Sequence, residues 1–466
     1  MIQEIESLER SKPRERETQT LVGELYTRKS ELSVGQESMI LEIDDYYSII
    51  VPDTLIEHKT WLTGACTNQV EWDFPLFFYR KNEDEIMQKF KLMATCAAGL
   101  EALTANELKQ LGYQVQTENG HVMFSGTIVD VIKANLWLRT ADRVEIVVGS
   151  FSATSFTELF DNVEKLPWET LIPLTGAFPV AGRSQKSQLH SVPDIQAITK
   201  KAIVAKLSNY YARHTRLPET GATYAIETRL VKNQATVLLD TTGDSLFKRG
   251  YRVAKGAAPL KENMAAALIL LTNWQPKTMP FVDPMCGSGT LPIEAALIAR
   301  NLAPGLQRSF ACEAWDWVKP TLVDQLRDEA DQQADYTSEF QIFASDVNGE
   351  MINYAKVNAQ EIGLLHDIHF KQLAVQDFHT DLHHGVVVSN PPYGQRLGDQ
   401  QQAVSLYHDL GKVFIPLTTW SKYFLTSDLN FETEYGMPAT KRRKLYNGRI
   451  RTDYFQFWGK RNESGD

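Results

Sequence analysis

Cysteine is scarce. The four cysteines, at positions 66, 96, 286 and 312 of 466 residues, never form a C-x-x-C pair. That spacing argues against a zinc site and a disulfide framework, and suits a reducing cytoplasm. No metal is expected. Long apolar runs are also missing. The longest beside a helical stretch is Ala265 to Leu271, far short of the ~20 residues that span a bilayer. The first residues, M-I-Q-E-I-E-S-L-E-R, are too acidic and polar for a secretory signal. A cytoplasmic protein without a membrane partner is expected.

Positive charge is not in excess either. The chain carries 58 acidic and 48 basic residues, a net charge of −10. The imbalance sits in residues 1–86, with 18 acidic against 9 basic residues; the remainder is near neutral. Within that remainder, bases cluster at Arg183–Lys186, Lys200–Lys206, Lys248–Lys255 and Lys441–Arg451. Basic clusters interleaved with aromatic residues suit a phosphate backbone.

The length allows two or three domains with sizeable cores. Residues 1–86 show neither sustained periodicity nor a motif. From Met87 the texture changes. F-K-L-M-A-T reads as a strand. Leu100, Leu103, Leu108 and Leu111 share a helical face that stops at Gly112. H-V-M-F-S-G, I-V-D-V-I-K-A-N-L-W-L and D-R-V-E-I-V-V-G follow as strand, helix and strand. This order predicts a small α+β unit of ferredoxin-like type. A helix capped by Asp194 is expected next, with Lys200, Lys201 and Lys206 on its outer side, and then a strand pair to Gly243. From about Gly256 strands and helices alternate, which predicts a doubly wound, mostly parallel α/β sheet. The long segment Pro304 to Phe340, with Trp315 and Trp317, is expected as an insertion packed on that sheet.

The stretch F-V-D-P-M-C-G-S-G-T-L-P (Phe281 to Pro292) carries the first chemistry. A strand ends at Asp283, a loop holds Gly287 and Gly289, and a helix begins. Glycines there let a ligand approach the backbone, and a helix N-terminus favours an anion. A dinucleotide fingerprint is disfavoured. Its third glycine is replaced by Pro292, and the next strand-end acid, Asp346, lies 57 residues beyond Gly289 rather than roughly 20. A carboxylate at Asp346 can accept from two ribose hydroxyls. Asp377, after the third strand, can accept from an adenine amino group.

S-N-P-P-Y-G-Q-R-L (Ser389 to Leu397) follows the fourth strand, V-V-V. Its prolines stiffen the loop and push it toward extended geometry. The Asn390 side-chain oxygen and the Pro391 carbonyl can each accept one N–H of an exocyclic base amine. That holds the nitrogen and favours lone-pair localisation as charge develops. Tyr393 can stack on the base, and Pro392 keeps the loop rigid.

Together D-P-M-C-G-S-G-T-L-P-I-E-A-A-L-I-A and S-N-P-P-Y-G-Q-R-L resemble the THUMP-containing class I RNA methyltransferases, in particular the bacterial group related to 23S rRNA guanine-N2 methyltransferases. R-G-Y-R-V-A-K-G-A-A-P-L-K-E-N (Arg249 to Asn263) and R-S-F-A-C-E-A-W (Arg308 to Trp315) resemble that group too. The likeness covers residues 87–466. It implies a Rossmann-like domain using S-adenosyl-L-methionine over 256–466 and a linker over 244–255. It also implies a THUMP RNA-binding domain over 131–243 and a ferredoxin-like part over 87–130. Asp283, Pro284, Cys286, Gly287, Ser288, Gly289, Thr290, Asp346 and Asp377 are the implied cofactor residues, and Asn390, Pro391, Pro392 and Tyr393 the catalytic loop. The expected RNA contacts are Arg183, Lys186, Lys200, Lys201, Arg249, Arg396, Lys441, Arg442, Arg443 and Lys444. Family chains tend to begin near M-Q-K-F-K-L-M-A-T, so Met87 is expected as the native start. Residues 1–86 are then translated upstream sequence, with a fused appendage as the alternative.

The leading expectation is methylation of guanine N2 in structured RNA, ribosomal RNA before transfer RNA. Adenine-N6 methylation of RNA or DNA is the second enzymatic reading, because N-P-P-Y serves either amine. A non-catalytic RNA-binding or ribosome-assembly factor keeping the fold is the reading from a different class.

Overall fold

The computed structural model describes residues 88–254, 260–393, 399–448 and 450–460, together with three strands nearer the N-terminus. Those strands, β1 (Ser38–Glu42), β2 (Tyr47–Pro52) and β3 (Phe77–Arg80), form an antiparallel sheet in order β1-β2-β3. They belong to a unit of their own, Met1–Gln88. The remaining expectations for 1–86 lie outside the described residues.

The second unit, Lys89–Asp466, holds two seven-stranded sheets. The first is built from β4 (Phe90–Cys96), β5 (Gln116–Glu118), β6 (His121–Gly126), β7 (Ala141–Ser152), β8 (Val180–Gln185), β9 (Ile226–Val231) and β10 (Gln234–Asp240), in order β5-β6-β4-β7-β10-β9-β8. Only the β8–β9 pair is parallel. Helices α1 (Glu101–Gln110), α2 (Ile128–Trp137), α3 (Phe156–Glu164) and α4 (Val192–Tyr210) accompany it. Val131, Ile132, Leu159, Ile195 and Ile203 share one core with Leu92, Ile146 and Val237 from the strands.

β7 joins the ferredoxin-like and THUMP-like parts. Its first half pairs with β4, Ala141 to Ile146 against Cys96 to Leu92. On its other edge it pairs with β10 out to Ser152. The two parts therefore share a ladder. The boundary expected at 130/131 falls inside α2, whose Thr127–Asp130 capping box opens that helix. The next helix, α4, begins at Val192, earlier than expected. Its N-cap is Ser191, and Asp194 lies in its first turn, where an acid suits the helix dipole.

The second sheet contains β11 (Phe281–Asp283), β12 (Ile342–Asp346), β13 (Ile368–Gln372), β14 (Val386–Ser389), β15 (Ser421–Thr426), β16 (Lys441–Asn447) and β17 (Ile450–Phe457), in order β13-β12-β11-β14-β15-β17-β16. β11 to β15 run parallel; β17 is antiparallel to β15 and to β16. Between and beside them run α5 (Glu262–Leu270), α6 (Thr290–Ala299), α7 (Pro320–Asp331), α8 (Gly349–Glu361), α9 (Asp399–Phe414) and α10 (Phe431–Tyr435). Fully buried strands such as V-V-V in β14 are what a parallel sheet between helices requires. Among the described residues no helix is long and apolar enough to cross a membrane.

One expectation is met only in part. The 304–340 insertion meets the core of the parallel sheet at its ends, through Leu306, Ala334 and Phe340, but its middle packs on the first half of the unit. Phe310, Cys312, Trp315, Val318, Val323 and Leu326 join the core of the first sheet. Trp315 stacks on Tyr224, with ring centroids 5.1 Å apart, and its Nε1 donates to the Thr223 carbonyl at 3.0 Å. Trp317 Nε1 donates to the Leu171 carbonyl at 3.1 Å. The stretch expected as a linker, 244–255, is packed where it is described: Arg249 and Tyr251 are each 1% exposed.

Candidate active site

The strand order of the second sheet reverses between β11 and β14, and open α/β sheets bind ligands at such a switch point, beyond the strand carboxyl ends. Asp283 ends β11 and Ser389 ends β14. They meet there, with Ser389 Oγ donating to Asp283 Oδ1 at 2.7 Å. The Met285 N–H donates to the same oxygen at 3.2 Å. Burial pushes the Asp283 carboxyl up to about 7, against the pull of these two hydrogen bonds.

The glycine loop follows. Gly287 has φ 52°, and a Cβ there would meet nothing within 4 Å. Gly289, the N-cap of α6, has φ 87°, and its Cβ would come within 2.9 Å of Ala355 Cβ on α8. The first glycine leaves the backbone open to a ligand; the second lets α6 pack against α8. Asp346, at the end of β12, reaches across: Oδ2 accepts from the Gly287 N–H at 3.0 Å and Oδ1 from the Asn348 N–H at 2.9 Å. Cys286 is buried, which holds its thiol well above the usual range, and its N–H donates to the Ser345 carbonyl at 2.8 Å. Asp377 is exposed in the 3₁₀ turn after β13, on the same side of the sheet as Asp346.

Asn390 and Pro391 continue directly from β14. Tyr407 on α9 donates its hydroxyl to the Pro392 carbonyl at 2.8 Å and so pins the loop. The Tyr393 hydroxyl donates to Asn390 Oδ1 at 2.5 Å. Burial pushes the Tyr393 phenol up to about 12, with the Asn447 side chain working the other way.

Two residues that no motif singles out as site residues brace this site. Arg252 bonds the side chains of Ser288 and Thr290. Asn358, buried on α8, bonds the Ser288 carbonyl at 3.0 Å. An Arg and an Asn in polar surroundings carry no signal that separates them from surface residues.

The expected RNA contacts divide. Lys186, Lys201, Lys441 and Lys444 are exposed. Arg183 is exposed too, with Glu227 beside it. Lys200 is half-buried, bonds Glu219 at 2.6 Å and lies over the Phe178 ring. Arg442 pairs with Asp453 and stacks on Phe455, and Arg443 donates to the Gly99 carbonyl at 2.7 Å. Arg249 is the correction. Its guanidinium serves the Leu246 and Arg139 carbonyls at 2.7 and 2.6 Å and Glu294 at 3.4 Å, all buried, so it has no face for RNA. Arg396 lies outside the described residues. A cavity of about 760 Å³ is lined by Val282, Phe343, Ser345, His369, Phe378 and Trp420. Among the described residues no cluster of His, Cys, Asp and Glu could hold a metal ion.

A parallel sheet with an antiparallel β17, a glycine loop after its first strand and acids after the next two define a Rossmann-like methyltransferase. Residues 249–456 match the family described as "RMKL-like, methyltransferase domain", residues 91–145 the "RlmL ferredoxin-like domain" and 153–240 the "THUMP domain". The chain is 51% identical over 375 residues to the "Putative RNA methyltransferase YpsC" of Bacillus subtilis, covering 80% of this chain and 97% of that one. It is 34% identical to a "Ribosomal RNA large subunit methyltransferase K/L" of Marinobacter nauticus, over 78% of this chain but only 52% of that protein. It thus spans about half the length of the K/L relatives. A crystal structure of a "putative methyltransferase complexed with SAH" superposes with a TM-score of 0.77 at 52% identity, covering 81% of this chain and all of that one. A "predicted N6-adenine-specific DNA methylase" of Listeria monocytogenes superposes with a TM-score of 0.78 at 51% identity, covering 82% of this chain and all of that one. The chain belongs to the THUMP-containing RMKL-like methyltransferase family, and its cofactor is S-adenosylmethionine. The open backbone at Gly287 and the Asp346 carboxylate beside it fit that cofactor's polar ends; Asp283, 1% exposed and bonded to Ser389 and Met285, has no free face for it and shapes the loop instead.

Proposed function

We propose that the chain methylates the exocyclic N2 amine of a guanine in structured RNA, with 23S ribosomal RNA as the first substrate to test and transfer RNA as the next. The observation that carries this reading is the position of Asn390. It follows β14 at the switch point, one residue beyond the Ser389–Asp283 hydrogen bond. When bound, S-adenosylmethionine supplies an electrophilic methyl group on its sulfonium.

The Asn390 side-chain oxygen and the Pro391 carbonyl accept the two N–H groups of the amine. They hold its nitrogen in line and stabilise the charge it develops, and positioning of this kind supplies much of a rate. Tyr393 stacks on the base. The Gly287 backbone, Asp346 and Asp377 hold the cofactor's amino-acid, ribose and adenine parts. Lys186 and Lys201 on the THUMP half, with Lys441 and Lys444 on β16, contact phosphates. A base reached this way leaves its stack first, as a single-stranded or splayed-out nucleotide does.

Adenine N6 presents a similar amine, and the name carried by the Listeria relative favours that second reading. The test is methyl transfer from labelled S-adenosylmethionine to total RNA of a strain lacking the gene, followed by nucleoside mass spectrometry. Labelled N2-methylguanosine is expected. Labelled N6-methyladenosine would replace the substrate and keep the mechanism. No label in any nucleoside would favour an assembly factor that binds RNA without modifying it.

A further inference from the structure

Arg252 lies between the RNA-binding half and α5, and its guanidinium gathers four acceptors. Nε donates to Glu262 Oε1 at 2.7 Å and Nη1 to Ser288 Oγ at 3.2 Å. Nη2 donates to Thr290 Oγ1 and to the Leu260 carbonyl, both at 3.0 Å. Only 14% of the side chain is exposed. This planar fork cannot be reproduced by a point charge. Two of its acceptors are hydroxyls that flank Gly289. A hydroxyl that accepts from arginine keeps its own proton to donate elsewhere, so Arg252 sets the direction in which both hydroxyls donate.

The loop closes on itself through the Gly289 N–H and the Cys286 carbonyl at 2.9 Å. Gly287 is at φ 52° with no neighbour where a Cβ would stand. Three side chains from outside the loop brace it further. Asp346 takes the Gly287 N–H. Asn358 takes the Ser288 carbonyl and, through Ala254 and Val253, the chain just after Arg252. Arg252 takes the two hydroxyls.

We propose that Arg252 is a positioning residue of the cofactor site: its guanidinium holds the Ser288–Thr290 turn, and with it the Gly287 opening, in the geometry that receives S-adenosylmethionine. It acts through Ser288 and Thr290.

The test is calorimetric titration of the full-length chain with S-adenosylhomocysteine. Arg252→Lys keeps a cation beside Glu262, so the fold survives, but it cannot span the other three acceptors together. Its Kd is expected to rise about tenfold, the scale of one lost charge-assisted hydrogen bond. For Arg252→Ala, guanidinium added at a sub-denaturing concentration is expected to restore part of the lost affinity. A purely structural role would lower the melting temperature without changing affinity. A Kd for Arg252→Lys within about twofold of the parent overturns the proposal. So does an Arg252→Ala affinity that guanidinium leaves unchanged. If Arg252→Ala does not fold, the Arg252→Lys titration alone decides.

Discussion

The Tyr393 hydroxyl donates to the Asn390 side-chain oxygen at 2.5 Å, so the acceptor proposed for the target amine also serves the ring proposed to stack on its base. Substrate and tyrosine then compete for one oxygen. Tyr393→Phe removes the competitor and keeps the ring, and transfer is expected to stay within about tenfold of the parent. Tyr393→Ala removes the ring and is expected to raise the KM for RNA about 5- to 150-fold, because stacking is worth ~1–3 kcal/mol per base. Steady-state kinetics with the two variants side by side checks this. Equal losses in both would deny the ring its stacking role.

Asn390→Ala is expected to lower kcat at least about 10²-fold, the loss typical of one oxygen or donor aimed at developing charge. Affinity for S-adenosylhomocysteine should not change, because Asn390 lies on the β14 side of the switch point. Retained turnover would place the chemistry elsewhere.

Asp346→Ala is expected to weaken S-adenosylhomocysteine binding about tenfold or more. It removes the acceptor of the Gly287 N–H as well as the proposed ribose contact. Asp346→Asn keeps one acceptor and should fall between. Titration calorimetry on both variants tests the order, and an unchanged Asp346→Ala affinity would remove this residue from the site.

Asp283 gives the ligand-free protein a pH signature. Its carboxyl is held above its unfolded value, at about 7 in the folded chain. The folded state therefore binds a proton more tightly than the unfolded state. The associated stability is present below the ordinary carboxylate range and is lost as pH rises toward 7, at no more than about 1.4 kcal/mol per pH unit. Asp283→Asn keeps an acceptor for Ser389 and Met285 without the titration. Denaturant unfolding between pH 4 and 7 should show a shallower fall for this variant; parallel curves would contradict the shift. The same window includes Glu145, buried on β7 and also held at about 7, with Arg229 opposing its burial, so the comparison with the parent isolates Asp283.

Trp315→Ala is expected to destabilise the RNA-binding half by about 3–5 kcal/mol, the usual range for deleting a buried tryptophan. Its ring is 1% exposed and stacked on Tyr224. Residues 88–243 expressed alone should behave as a loosely packed state, because Phe310, Trp315 and Val323 are missing from their core. Near-ultraviolet circular dichroism would reveal it. A rigid, cooperatively unfolding fragment would show the insertion to be dispensable.

The site was legible in the sequence wherever local pattern and chemistry coincide. Asp283, Asp346 and Asn390 each end or follow a strand, and the order of those strands placed them on one edge. Gly287 and Gly289 were readable because positive φ has few other occupants. What stayed hidden depends on contacts distant in the chain. Arg249 and Arg252 sit three positions apart in the same basic stretch. One is a core residue bound to Glu294 and the other a brace for the glycine loop, and no composition rule separates either from an RNA-facing arginine. The insertion misled for the same reason. It was read as packed on the parallel sheet, but the partners of its two tryptophans are Leu171, Thr223 and Tyr224, about ninety positions or more upstream. The β7 ladder likewise joins two parts that the family resemblance had divided at 130/131.

That insertion also imposes an order on synthesis. The first sheet is complete in sequence at Asp240, but its core lacks a wall until Leu326 has been added. At a ribosomal rate of about 5–20 residues per second, the unfinished half waits about 4–17 s with apolar surface uncovered. For that interval the nascent chain is a client for whatever shields hydrophobic surface at the exit tunnel. The RNA-gripping half becomes fully folded only once part of the methyltransferase half has been made.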